Sequence, residues 1–260
     1  VCLILIAHQA HPRYRMVVAA NRDEWFHRAS APAAFWSDAP EVLAGRDLEQ
    51  GGTWLGITRT ARFAALTNFR DPSAHRESAP SRGALVSEFL RATETTEASF
   101  ARIAHRAADY NGFNLVAWDG ETLAVMSNRD GGARTLGSGV FGLSNHLLDT
   151  PWPKVRDGRQ RLAALLAREV SVEALLELLD DTRMAEDHEL PETGVGLDWE
   201  RRLSPLRIVA GSYGTRCSTA LLVDHAGAVT FAERTYGADG MPAGLVRERF
   251  AFDRAVVERP

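Results

Sequence analysis

A chain of 260 residues, 45% apolar and 25% charged, has the make-up of an ordinary globular protein; at this length it can bury roughly three quarters of its unfolded surface without a disulfide or metal staple. A formal net charge of −4, with arginines scattered among acids, lacks the basic stripe of a nucleic-acid binder. The two cysteines, Cys2 and Cys217, are too few for a disulfide scaffold, and no apolar run reaches the ~18 residues of a membrane-spanning helix.

The opening residues 1–7 are apolar but carry no basic leader, and they run at once into His8, His11 and Arg13. They read as a strand rather than a signal peptide, which makes a cytoplasmic location the expectation. A second strand over residues 15–20 follows a turn at His11-Pro12, and Asn21-Arg22-Asp23-Glu24 closes the hairpin. Residues 30–40, with their prolines, alanines and Trp36, read as irregular surface loop. Strands are predicted over 51–58 and 63–68, separated by a short turn. Two helices come next. Residues 83–92 carry Leu85, Val86, Phe89 and Leu90 at helical spacing, with Ser81 as the expected cap; residues 96–110 put Phe100, Ile103 and Ala107 on one face.

Residues 113–118 and 122–127 form a hairpin through Asp119-Gly120. Gly131, Gly132, Gly137 and Gly139 mark a loop before residues 140–145. Helices are predicted over 153–168 and 172–181, a polar excursion over 183–203, and three late strands over 206–210, 217–223 and 228–233. Antiparallel hairpins interrupted by helix pairs indicate a layered α+β fold rather than βαβ alternation. Two stacked sheets with helices outside, in a single domain over 1–260, fit this order without being forced by it.

Three clusters carry possible chemistry. Cys2 heads a strand, and once any preceding residue is trimmed its α-amine can serve as base for its own thiol, since the two have unperturbed pKa values of about 8 and about 8.5. Cys2 also reads, more plainly, as a small buried hydrophobe. Strand alternation puts Asn21 and Asp23 on one face and Arg22 on the other, so Asp23 can return beside the Cys2 amine; a capped strand-ending turn is the plainer reading. Asn68, Ser144-Asn145 and Thr215-Arg216 offer amide, hydroxyl and guanidinium donors of the kind a developing oxyanion needs.

Taken together, Cys2-Leu3-Ile4, Ala20-Asn21-Arg22-Asp23-Glu24, Gly52-Thr53-Trp54-Leu55-Gly56, Leu66-Thr67-Asn68-Phe69-Arg70, Gly142-Leu143-Ser144-Asn145, Thr150-Pro151-Trp152 and Gly214-Thr215-Arg216-Cys217-Ser218-Thr219 resemble the NRDE (transport and Golgi organisation) family over residues 2 to about 235. The resemblance implies the four-layer αββα sandwich of N-terminal-nucleophile hydrolases, distantly similar to choloylglycine and penicillin V acylases. It implies Cys2, Asp23, Asn68, Asn145 and Arg216 as catalytic positions. Asn21, Arg22, Ser144 and Thr215 are taken as substrate-binding. Two features depart from the acylase pattern: position 20 is Ala, not the early Arg, and Val1 precedes Cys2, which we read as a non-standard start codon translated as methionine.

The chemistry so implied is amidohydrolysis of a small or amphiphilic substrate, with no cofactor required. The family's association with haem trafficking supplies the alternative, a non-catalytic carrier of haem or another amphiphile, with His8, His11, His27 and His146 as the histidines to test and Trp25, Phe26, Trp36 and Trp152 as pocket aromatics.

Overall fold

A computed structural model describes residues 2–253 of the chain. Seven strands form a meander in which each pairs with its chain neighbour: β3 (Ser30–Trp36), β4 (Ala39–Asp47), β5 (Leu55–Thr58), β6 (Phe63–Asn68), β7 (Phe113–Trp118), β8 (Leu123–Ser127) and β9 (Gly132–Thr135). The second sheet runs in the order β10 (Gly139–Leu143), β1 (Cys2–His8), β2 (Tyr14–Trp25), β12 (Tyr213–Asp224), β13 (Ala228–Tyr236) and β14 (Pro242–Ala251), with the two-residue β11 (Val209–Ala210) also on β12. All the pairings are antiparallel.

Period-two alternation sorts the side chains into layers. Ile4, Ile6, Met16, Val18, Leu221 and Phe231 face Leu43, Ile57, Phe63, Val116 and Trp118 across the gap between the sheets. Their neighbours Leu3, Leu5, Val17, Ala19 and Leu222 point outward, against helices α3 (Pro153–Leu166) and α4 (Val172–Leu178). On the other flank, α1 (Gly83–Arg91) and α2 (Thr96–Ala104) bury Leu85, Val86, Phe89, Phe100 and Ile103 on the meander. The layers are therefore α, β, β, α, as expected. Each fully buried aliphatic or aromatic side chain contributes about 1.5–3 kcal/mol, so strands apolar on both faces anchor the centre.

Several local expectations need correction. Residues 30–40 are not loop: they hold β3 and the start of β4, and β3 accepts Pro32 because it is the edge of its sheet. The glycine loop contains β9, and the excursion over 183–203 contains α5 (Leu197–Leu203). Strand β14 went unread because it is an exposed edge rich in charge, with Arg247, Glu248 and Arg249 in its second half. Ser81 does not cap α1; Arg82 takes the N-cap position without a side-chain cap bond. The second predicted helix stops at Ala104 and resumes only as a 3-10 turn over Ala107–Asp109. No helix among the described residues is long and apolar enough to cross a membrane.

Candidate active site

The site forms where β1, β2 and β12 end side by side. Register pairs Cys2 with Arg22 and Arg22 with Cys217, so the three stand in one row, and all three line a cavity between the sheets of about 440 Å³. Two strand spacings separate the cysteines by ~10 Å, beyond disulfide reach, and both are free thiols. Burial pushes the Cys2 thiol up from its ordinary pKa, and the nearby Asp23 carboxylate adds to this; a hydrogen bond from the Asp23 backbone and the charge of Arg22 oppose it. Burial and Glu233 push the Cys217 thiol well above its ordinary pKa, which fits an inert thiol.

The reverse face of the same strand end holds a buried polar network. Thr215 Oγ1 donates to Asp23 Oδ1 at 2.6 Å and accepts from the Ile208 amide at 2.9 Å. Lys154, on the first turn of α3, places Nζ 3.8 Å from Asp23 Oδ2 with both side chains sealed from solvent. Burial lowers the Lys154 ammonium to about 8 against the opposing pull of Asp23, and burial raises the Asp23 carboxyl against the pull of Lys154. Tyr213 Oη donates to the Asp23 carbonyl at 3.3 Å. Behind them Arg70 pairs with Glu200 at 2.7 Å, both buried, and Glu200 in turn accepts from the Thr193 amide and hydroxyl. Burial lowers the Arg70 pKa, with Glu200 opposing.

A third set of bonds ties the two sheets together beside Cys2. Ser144 Oγ donates to the Cys2 carbonyl at 2.8 Å and Thr67 Oγ1 to the Ser144 carbonyl. Asn145 Nδ2 donates to the Asn68 carbonyl at 2.7 Å, and the Arg70 amide returns a bond to the Asn145 carbonyl at 2.7 Å. The end of β6 is thereby fixed against the start of β1, with Asn68 on the cavity wall.

Arg216 owes its position to a β-bulge. Thr215 pairs with Asp23 and Cys217 with Arg22, which leaves Arg216 as the extra residue. Its guanidinium donates to the carbonyls of Trp25 and Arg28 at 3.0 and 2.8 Å and to Ser30 Oγ. Burial lowers its pKa, helped by Arg22. Arg82 completes the wall, donating to the Gly112 carbonyl at 2.9 Å, its pKa also lowered by burial.

A family model for Transport and Golgi organisation 2 matches residues 1–238. Among curated relatives, the Transport and Golgi organization protein 2 homolog of Bos taurus is 36% identical over 258 residues, covering 90% of this chain and 92% of the relative. The Drosophila melanogaster protein is 30% identical, with the same coverage. The chain belongs to the Transport and Golgi organisation 2 family. Among solved structures, a cysteine-to-alanine mutant of the conjugated bile acid hydrolase from Clostridium perfringens superposes with a TM-score of 0.51 at 9% identity, covering 98% of both chains. An arginine-to-leucine variant of that hydrolase gives the same score over 96% of this chain. At such low identity the likeness shows the fold, which this family member shares with N-terminal-nucleophile hydrolases.

The residues expected from the sequence divide into those on the cavity and those off it. Cys2, Arg22, Asn68 and Arg216 meet on the cavity, and Asp23 reaches its edge. Asn21, Ser144, Asn145 and Thr215 lie off the cavity lining and are almost fully buried. Asn21, for instance, donates to the Leu179 and Leu206 carbonyls and accepts from Ser218. Sequence reading missed Lys154, Arg70, Glu200 and Arg82. Lys154 left one signal, a lysine one position past the helix-starting Pro153 amid apolar neighbours; the Arg70–Glu200 pair spans 130 residues and left none. Val1 lies outside the described residues. None of the four histidines or four aromatics named from the sequence lines the cavity: Trp36 is buried against α1, Trp152 meets His146 at a tilt, and Trp25 meets Trp199 and Tyr213.

Proposed function

We propose that this chain is a cysteine N-terminal-nucleophile amidohydrolase, cleaving the carbon–nitrogen bond of a small or amphiphilic amide once Cys2 is the first residue. The observation that carries this reading is the division of labour at one strand end. The Cys2 side chain opens on the cavity, while Asp23, Lys154 and Thr215 form a sealed polar network on the other face. A structural cysteine needs neither the cavity nor the buried charges, which are costly to keep out of water.

In the proposed reaction the Cys2 α-amine takes the thiol proton and the sulfur attacks the amide carbonyl. The oxyanion meets the Asn68 carboxamide, whose backbone is held by Asn145. The carbon–nitrogen bond breaks as the α-ammonium protonates the leaving nitrogen. Water, with the amine again as base, then cleaves the thioester. Asp23 orients the amine, and Arg216 polarises the cavity. The ionic lining of the cavity suits a small charged molecule better than the broad apolar ring of haem, and His75, rather than the histidines expected, stands on it.

The test is amide turnover by protein whose intact mass shows Cys2 at the N-terminus, alongside a Cys2→Ala variant. The variant is expected to lose activity by about 1,000-fold or more; undiminished turnover by it overturns the proposal.

A further inference from the structure

Within the amidohydrolase reading, and resting on it, the nature of the cavity wall specifies the substrate further. Arg22 stands beside Cys2 in the strand register, Arg216 occupies the neighbouring bulge, and Arg82 closes the wall from the α1 side. What matters is how these side chains are held. Arg216 and Arg82 donate to backbone carbonyls, of Trp25 and Arg28 and of Gly112, which fix the guanidinium planes without cancelling their charge. Of the other arginines on the cavity, Arg28 is paired with Asp47 at 2.6 Å and Arg46 with Asp38 at 2.6 Å, whereas Arg76 likewise donates to backbone carbonyls, of Ala108 and Tyr110.

The same lining carries the acids Asp23, Glu24, Asp47, Glu77 and Glu233, of which Asp47 is taken up by Arg28. Glu24 is one carboxylate facing Arg28, Arg82 and Arg216, and it already accepts from the Trp25 amide. Glu233, also on the lining, is buried and bonded to the Ala33 amide at 2.7 Å, and burial raises its pKa against the pull of Arg22. Asp23 is occupied with Lys154 and Thr215 on the opposite face. The first turn of α1, lacking a side-chain cap, adds its positive end to the same wall. Partly dehydrated guanidiniums in fixed orientation are the groups that recognise carboxylate, sulfonate or phosphate through paired hydrogen bonds.

We infer that the substrate of this cavity is an anion, carrying a carboxylate, sulfonate or phosphate that docks on Arg22, Arg82 and Arg216 while its amide carbonyl lies at Cys2. Neutral amides of the same size lack the group that orients them.

The experiment measures binding rather than turnover, using the full-length Cys2→Ala protein and calorimetric titration. The probes are N-hexanoylglycine and its uncharged counterpart N-hexanoylglycinamide. The acid is expected to bind at least tenfold more tightly, with an advantage that shrinks as sodium chloride is raised and drops severalfold in Arg22→Gln and Arg82→Gln. Hexanoyltaurine and hexanoyl-phosphoethanolamine then rank sulfonate and phosphate against carboxylate. Equal affinity for acid and amide, a preference for the amide, or no binding of any of the anions overturns the inference. Arg82→Gln removes a bond to Gly112; if it does not fold, Arg22→Gln and the salt dependence of the unsubstituted arginines decide. Cys2-dependent hydrolysis of neutral amides alone would contradict the inference while leaving the amidohydrolase reading intact. Anion-selective binding without turnover would do the reverse.

Discussion

Replacing Lys154 by Met removes the ammonium behind Asp23 while keeping a side chain of similar length. In the folded protein burial lowers Lys154 from 10.5 to about 8. Between those values the unfolded chain binds a proton that the folded chain does not, so stability rises with pH across this window. Conversely, the Lys154 contribution is fully present only above about 10.5 and is lost as pH falls through about 8. At ~1.36 kcal/mol per unit, the swing attributable to Lys154 is about 3 kcal/mol. Cys2, Cys217 and Tyr213, all pushed up by burial, act in the opposite sense in the same range. The difference between wild type and Lys154→Met cancels those shared contributions. The assay is urea unfolding at several pH values with equal slopes verified for both proteins. Wild type should gain on the variant by about 3 kcal/mol between about pH 8 and about pH 10.5. A stability difference that stays constant with pH would refute the lowering of the Lys154 pKa by burial.

Thr215→Val deletes the 2.6 Å bond to Asp23 and the acceptor for the Ile208 amide; it should cost about 1–3 kcal/mol in urea unfolding and reduce turnover, with Thr215→Ser restoring both. Gly52→Ala drives a Cβ to 2.6 Å from the Gly83 carbonyl carbon, backbone that cannot swing aside; a loss of about 1–3 kcal/mol and weaker anion binding through a displaced Arg82 are expected, read by unfolding and titration. Glu200→Gln strands the buried Arg70 charge and should cost about 3 kcal/mol, measured by the same unfolding assay, whereas Asp198→Asn on the exposed side of α5 should change stability little.

What the sequence made legible was local. The apolar run from Cys2 and the alternation through Asn21, Arg22 and Asp23 set both the opening hairpin and the face on which each side chain lies. Edge strands were hidden, since β3 carries Pro32 and β14 carries Arg247 and Arg249, the residues that protect an edge from further pairing. Of the buried network, Asp23, Asn21 and Thr215 were legible and the charged partners were not. Lys154, Arg70 and Glu200 acquire their meaning from partners 130 residues away or nearly so, and pairing at that range is a property of packing. Thr215 and Asn145 stand within motifs and read as a substrate-binding and a catalytic position, but whether such a side chain faces a substrate or a neighbouring group depends on contacts that spacing does not encode.

The most direct test of the central claim is to trap the acyl intermediate. Protein beginning at Cys2 would be mixed with N-hexanoylglycine, quenched in acid within the first turnover, and digested for mass spectrometry. The expected product is a hexanoyl thioester on the Cys2 peptide, labile to hydroxylamine and absent from Cys2→Ala. Hydrolysis that proceeds with Cys2 never acylated, or at the same rate in Cys2→Ala, would contradict that claim.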